Sequence, residues 1–172
     1  MKIFNKAFLS DFTFASIMAV TRIFPEITPV LRLRGRLSKF IFKKCGNNLQ
    51  ISKDVRINGT SNLEFGDDVF LSGGSWIMAS ELVTLGDGVM LGPYSVLITG
   101  NHTKESGSYR FGKPDRSPIR IGKGSWIGSH STVTKGIKIG SGCLLAANSV
   151  ATKNIPDDSI AGGVPAKVIK TD

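Results

Sequence analysis

Cysteine, histidine and tryptophan are scarce in this chain, with two of each in 172 residues. Cys45 and Cys143 lie far apart and lack metal-ligand spacing. Nothing about them calls for an oxidising compartment. Two histidines, His102 and His130, are too few for a metal centre built from three histidine ligands. Long apolar runs are missing too. Residues 7–20, AFLSDFTFASIMAV, are short and carry Asp11, which argues against a membrane span. A signal peptide would need a cleaner apolar run and a cleavage site. Acidic residues are few, 13 against 22 Lys and Arg. The imbalance is local: residues 1–56 hold 11 Lys or Arg and three acids, a charge of +8 out of +9 overall. The rest of the chain is nearly neutral, so a general nucleic-acid surface is not indicated.

What is present is glycine, 20 residues of it, and a six-residue repeat. Ile121, Ile127, Val133, Ile139, Leu145 and Ala151 follow one another at steps of six. Small or β-branched residues stand four places after each: Ser125, Ser131, Ile137, Cys143, Ser149 and Ile155. Gly or another small residue often follows the opening residue, as at Gly122, Gly128, Gly140 and Ala146. The same grammar runs through Phe65, Leu71 and Ile77, then Leu85, Leu91 and Leu97. The step from Ile77 to Leu85 is eight, so one corner holds two extra residues. A short strand that turns inward one apolar residue and then bends gives this spacing, with Gly tolerating the left-handed corner. Three strands and three corners make a coil of about 18 residues, and stacked coils bury a continuous apolar column. The reading is an all-β solenoid, a parallel β-helix, in preference to an irregular β-sandwich. Cys143 then fills a small inward position.

The chain divides into a basic, partly helical extension over 1–48, a β-helix over 49–156 and an exit segment over 157–172. Pro25 and Pro29 break the extension. Beyond them Val30, Leu33, Leu37, Phe40 and Ile41 recur at helical spacing among Arg32, Arg34, Arg36, Lys39, Lys43 and Lys44, with Gly35 as a weak point. Two meanings stay open: a helix packed on the open end of the β-helix, or a basic face against an anionic membrane.

The repeat stops after Leu97 and resumes at Ile121. The piece between, ITGNHTKESGSYRFGKPDRSPIR, is rich in Gly, Ser, Pro and charge and reads as a protruding loop. His102 stands at its start. Near its ordinary pKa an imidazole is a competent general base at neutral pH. The alternative is a surface residue ending a strand. His130, at an outward site, reads as an interface or surface residue.

Residues 65–170 resemble the hexapeptide-repeat acyltransferases, in particular the maltose/galactoside O-acetyltransferase branch. The motifs are LGDGVMLGPYSVLITGNH at 85–102, IGKGSWIGSHSTVTKGIKIGSGCLLAANSVATKNIP at 121–156 and IAGGVPAKVIK at 160–170. The resemblance implies a left-handed helix, acetyl-CoA as donor, no metal, and a homotrimer with active sites between subunits. It makes His102 the base. It sets Trp126, Ser129, Ala147, Thr152 and Lys153 along the CoA arm, with the Ser129 N–H at the oxyanion and Lys153, Lys167 and Lys170 near the phosphates. Ser72, Asn101 and Arg110 are the candidate acceptor contacts.

Ser72 departs from the family. Its sugar acetyltransferases carry Asn at the matching position, which puts maltose and galactosides in doubt as acceptors. Arg110, Lys113 and Arg116 suit an acidic or phosphorylated acceptor. The basic extension looks like that of acetyltransferases in surface-polysaccharide synthesis, so a sugar hydroxyl on a glycan precursor is the expected acceptor, met in the cytoplasm at the inner membrane face. N-acetylation of an amino sugar and a non-catalytic scaffold at the membrane remain as alternatives.

Overall fold

The repeat dictates the register. In a computed structural model, which describes residues 6–171, opening residues stack on opening residues. Phe65 pairs with Leu85, Leu85 with Ile121, and Ile121 with Ile139. Leu71, Leu91, Ile127 and Leu145 form a second ladder. Ile77, Leu97, Val133 and Ala151 form a third. All pairings are parallel, and none of these twelve residues is more than 2 % exposed. A one-residue slip would turn every one of them outward, so the register is tightly held.

The three ladders are the three faces of a prism. The first face stacks Lys44–Cys45, Leu63–Phe65, Val83–Leu85, Ile119–Ile121 and Lys138–Ile139. The second stacks Gln50–Ile51, Phe70–Leu71, Met90–Leu91, Trp126–Ile127, Leu144–Leu145 and Ser159–Gly163. The third stacks Arg56–Asn58, Trp76–Met78, Val96–Ile98, Thr132–Val133 and Val150–Ala151. The coils begin one turn earlier than the repeat read from Phe65, because Cys45, Ile51 and Ile57 also step by six. They also run on past 156. Ala161 stacks on Leu145, and Ala166–Thr171 folds back antiparallel along Ser159–Gly163. Cys143 is 2 % exposed at its inward position.

Two helices close the amino-terminal end, α1 (Lys6–Thr21) and α2 (Thr28–Ser38). Pro29 sits in the first turn of α2, where a missing N–H costs nothing. From α1, Phe14 meets Phe42, which meets Phe65 edge-on at 4.9 Å, so aromatic rings plug the apolar column. Asp11, the charge inside the apolar run, accepts hydrogen bonds from Gly59 N, Thr60 N and Thr60 Oγ1.

The buried side of α2 differs from the expected one. Leu31, Arg34, Gly35 and Ser38 face the β-helix, whereas Leu33, Leu37 and Phe40 are exposed. Arg34 is 0 % exposed and joins Thr21, Glu26 and the Ile51 carbonyl. Gly35 is a contact and no weak point. A Cβ there would collide with the Leu49 carbonyl oxygen, so only glycine lets α2 sit this close. Charge pairing and close approach outweighed the apolar periodicity.

Candidate active site

The corners of the prism treat their backbone amides differently. At the corner from first to second face, aspartates cap three of them. Asn47 N donates to Asp67 Oδ1, Asp67 N to Asp87 Oδ1 and Ser141 N to Asp157 Oδ1. The corner from second to third face has no such aspartates. There the third turn residue donates to the coil before it: Tyr94 N to Gly73 O, His130 N to Pro93 O and Asn148 N to Ser129 O. The amides of Gly73, Ser129 and Ala147 donate to no acceptor among the described residues. The matching amide of the first coil, Lys53 N, is met by both Glu26 carboxylate oxygens at 3.1 Å. An oxygen acceptor is therefore taken up at this corner where one is offered.

Side chains flank the open amides. Trp126, 43 % exposed, projects from the second face. Tyr94 and His130 both adopt positive φ and stack at 5.0 Å between centroids. A side chain on Gly74, also at positive φ, would strike the Tyr94 ring, so glycine makes room for the stack. Ser72 opens the same corner one coil below Pro93, with its N–H on the Leu91 carbonyl. Lys167 and Lys170 lie on the returning strand Ala166–Thr171, which extends the second face.

His102 is elsewhere. The interruption is an antiparallel ribbon more than a loose loop: Gly100–His102 pairs with Pro114–Arg116, His102 opposite Pro114 and Asn101 opposite Asp115. Thr103 Oγ1 donates to the Lys113 carbonyl at 2.6 Å, and Glu105 bridges Ser108 at the tip. An Asp115–Lys135 ion pair at 2.8 Å ties the ribbon to the coil above. His102 is exposed, and its ring has no hydrogen-bond partner among the described residues. Arg110 lies toward the tip, its guanidinium 5.5 Å from the Phe111 ring centroid. The ribbon springs from the corner between third and first faces. Thr152 and Lys153, both exposed, follow Ala151 at that same corner.

The candidate residues thus fall into two groups on one chain. Asn101, His102, Arg110, Thr152 and Lys153 share one corner of the prism. Ser72, Trp126, Ser129, Ala147, Lys167 and Lys170 share the second face and the next corner. Sequence reasoning named the Ser129 N–H but missed the open amide of Gly73, Tyr94 and the Glu26–Lys53 contact. A partial signal for the amides existed: aspartate follows the corner glycine in FGDD and LGDG, though not in IGKG or IGSG of the same corner, and is absent from all of LSGG, LGPY, IGSH and LAAN.

Known proteins share this repeat and this fold. Residues 118–153 match the family model described as the hexapeptide repeat of succinyl-transferase. The galactoside O-acetyltransferase of Escherichia coli K12 is 32 % identical over 137 residues, covering 80 % of this chain and 68 % of the relative. This chain belongs to the hexapeptide-repeat acetyltransferases. It is an acyltransferase that uses acetyl-CoA. A solved maltose O-acetyltransferase from Clostridium difficile 630 superposes with a TM-score of 0.84 at 25 % identity, covering 99 % of this chain and 90 % of that one. A galactoside acetyltransferase in complex with coenzyme A also gives 0.84, at 27 % identity, over 99 % and 84 %. The prism is accordingly the left-handed β-helix of this family, against the usual right-handed rule for parallel crossovers.

Proposed function

We propose that the protein transfers the acetyl group of acetyl-CoA to a sugar hydroxyl of a cell-surface polysaccharide precursor, in the cytoplasm at the inner membrane face. The CoA arm lies along the open amides of Ser129 and Ala147 beside Trp126, with Lys167 and Lys170 of that chain, and Thr152 and Lys153 of the neighbouring copy, toward the nucleotide end. His102 takes the proton of the acceptor hydroxyl as that oxygen attacks the thioester carbonyl. The new C–O bond leaves an oxyanion, to which the Ser129 N–H donates. Collapse breaks the C–S bond, and the CoA sulfur leaves with the proton held by His102. No covalent enzyme intermediate is needed.

One observation carries this reading: the turn amides of Gly73, Ser129 and Ala147 meet no acceptor among the described residues and lie beside an exposed tryptophan, at a corner where no aspartate caps them. The base and that row lie on different parts of the prism, so the working site forms between neighbouring copies of a homotrimer. The relatives' names, galactoside and maltose O-acetyltransferase, support a sugar acceptor. Ser72 in place of asparagine, with Asn101 beside the base and Arg110 on the same ribbon, favours an acceptor other than those two sugars, and one with acidic or phosphate groups.

The test is thiol release from acetyl-CoA with a panel of saccharide acceptors, neutral, phosphorylated and amino-bearing. His102→Ala lowers turnover by a factor of about 100 or more, while thermal stabilisation by CoA and the assembly mass stay unchanged. Turnover near that of the parent chain would remove His102 from the role of base. Transfer to amines alone would replace O-acetylation by N-acetylation.

A further inference from the structure

The helical cap has an apolar outer surface. Among the described residues, ten of the seventeen exposed large apolar side chains lie between Phe8 and Phe40. On α1, Phe8, Leu9 and Phe12 point away from Phe14 and Asp11, which face the coils. On α2 and the turn after it, Leu33, Leu37 and Phe40 point away from Leu31 and Arg34. Leu9 and Phe40 line one shallow groove of about 190 Å³, so the two stripes meet.

Charge on the cap is sorted by sign. Its two acids turn inward, Asp11 onto Gly59 and Thr60 and Glu26 onto Arg34 and Lys53. Arg32, Arg36 and Lys39 line a groove of about 490 Å³ beside the apolar stripe of α2. None of the three makes a salt bridge among the described residues. The nearby carboxylates of Asp67 and Asp68 already accept from Asn47 and Asn48.

We infer that this face docks on an anionic lipid bilayer, with Leu9, Phe12, Leu37 and Phe40 in the headgroup–acyl boundary and Arg32, Arg36 and Lys39 on headgroup phosphates. An apolar stripe edged by cations is the pattern of helices that lie in the membrane interface. A second copy of the chain fits less well. Self-pairing would set cations against cations, with no outward acid on either face. The partner's surface is therefore both apolar and negative. No helix among the described residues is long and apolar enough to cross a membrane, so the contact is peripheral. Docked this way, the coil bearing the His102 ribbon stands two rungs, about 10 Å, above the first coil. The inference rests on the cap alone and stands apart from acetyl transfer.

Flotation of the full chain with vesicles tests it. The chain floats with mixed phosphatidylcholine–phosphatidylglycerol vesicles at low salt, and high salt releases it. Arg32→Gln, Arg36→Gln and Lys39→Gln together weaken partition on the order of 100-fold, about fivefold per cation. Phe12→Ser with Phe40→Ser also abolishes flotation, although every cation remains. CoA binding and assembly mass are unchanged in both variants, which shows that they fold. Failure of the parent to float, equal flotation with phosphatidylcholine alone, or unaltered flotation of either variant would overturn the inference. So would a fall in assembly mass on Phe12→Ser with Phe40→Ser, since the face would then be buried between copies.

Discussion

Replacing Arg34 by methionine would test how the cap is held. Methionine keeps much of the apolar stem and deletes the guanidinium, which is 0 % exposed. The Thr21 carbonyl loses a donor at 3.0 Å, the Ile51 carbonyl one at 3.3 Å and Thr21 Oγ1 one at 3.2 Å. Glu26 loses its ion pair but keeps the Lys53 N–H. Removing one partner of a buried pair costs about 3–5 kcal/mol. Glu26 is 30 % exposed, which lowers the figure to about 2–4 kcal/mol. At about 2–4 °C per kcal/mol for a chain of this size, Tm falls by about 5–15 °C. Urea unfolding followed by circular dichroism measures the loss, and hydrogen exchange at α2 and residues 50–53 locates it. Adding Glu26→Gln costs less than the sum of the two single changes, because the groups are coupled. A loss below about 1 kcal/mol for Arg34→Met, with additive effects, would refute the staple.

Two further outcomes follow from burial. Ser131 Oγ donates to the Ala146 carbonyl and accepts from Ser149 N, whereas the equally buried Ser95 Oγ has no partner. Ser131→Ala therefore costs about 1–3 kcal/mol in urea unfolding, and Ser95→Ala costs nothing or stabilises; the opposite ranking would contradict the hydrogen-bond assignment. Burial pushes the Cys45 thiol up, with Lys39 opposing and Asp67 adding to the shift. Its alkylation at neutral pH is slower than that of a free thiol, whose pKa is about 8.5. Because the raised value belongs to the folded chain, the stability Cys45 lends is present below the unfolded thiol's pKa and is lost as pH rises through the folded one. Alkylation as fast as a small thiol's would contradict this.

The prism was legible because its signal is strictly local. Each opening apolar residue from Phe65 to Ala151 specifies an inward position, and stacking like on like leaves no other register. The first coil lay within the expected β-helix from residue 49, but its repeat positions went unread because Cys45 weakens the pattern and an eight-residue step separates Ile57 from Phe65. The cap was read less well. Spacing favoured Leu33, Leu37 and Phe40 as the packed stripe, yet Arg34 is the buried residue, since Thr21, Glu26 and Ile51 converge on it from other segments. No window of sequence contains that convergence. His102 and Trp126 were visible as residues, but their placement on separate parts of the prism depends on which corner extrudes the ribbon. The open amides are backbone groups: the family resemblance pointed to the Ser129 N–H, and the others depend on what the stacked coil places against each turn.

That separation is the central claim, and complementation between two inactive chains tests it most directly. One chain carries His102→Ala; the other carries Ala147→Trp, which fills the lane of open amides. Each alone is inactive in acetyl transfer. Random co-assembly at equal amounts joins an intact base to an intact lane at about one interface in four of a cyclic homotrimer, restoring about a quarter of wild-type turnover. Recovery near that level is the predicted result. No recovery from assemblies shown by mass to be mixed would mean that base and lane act within one chain, and would contradict the account.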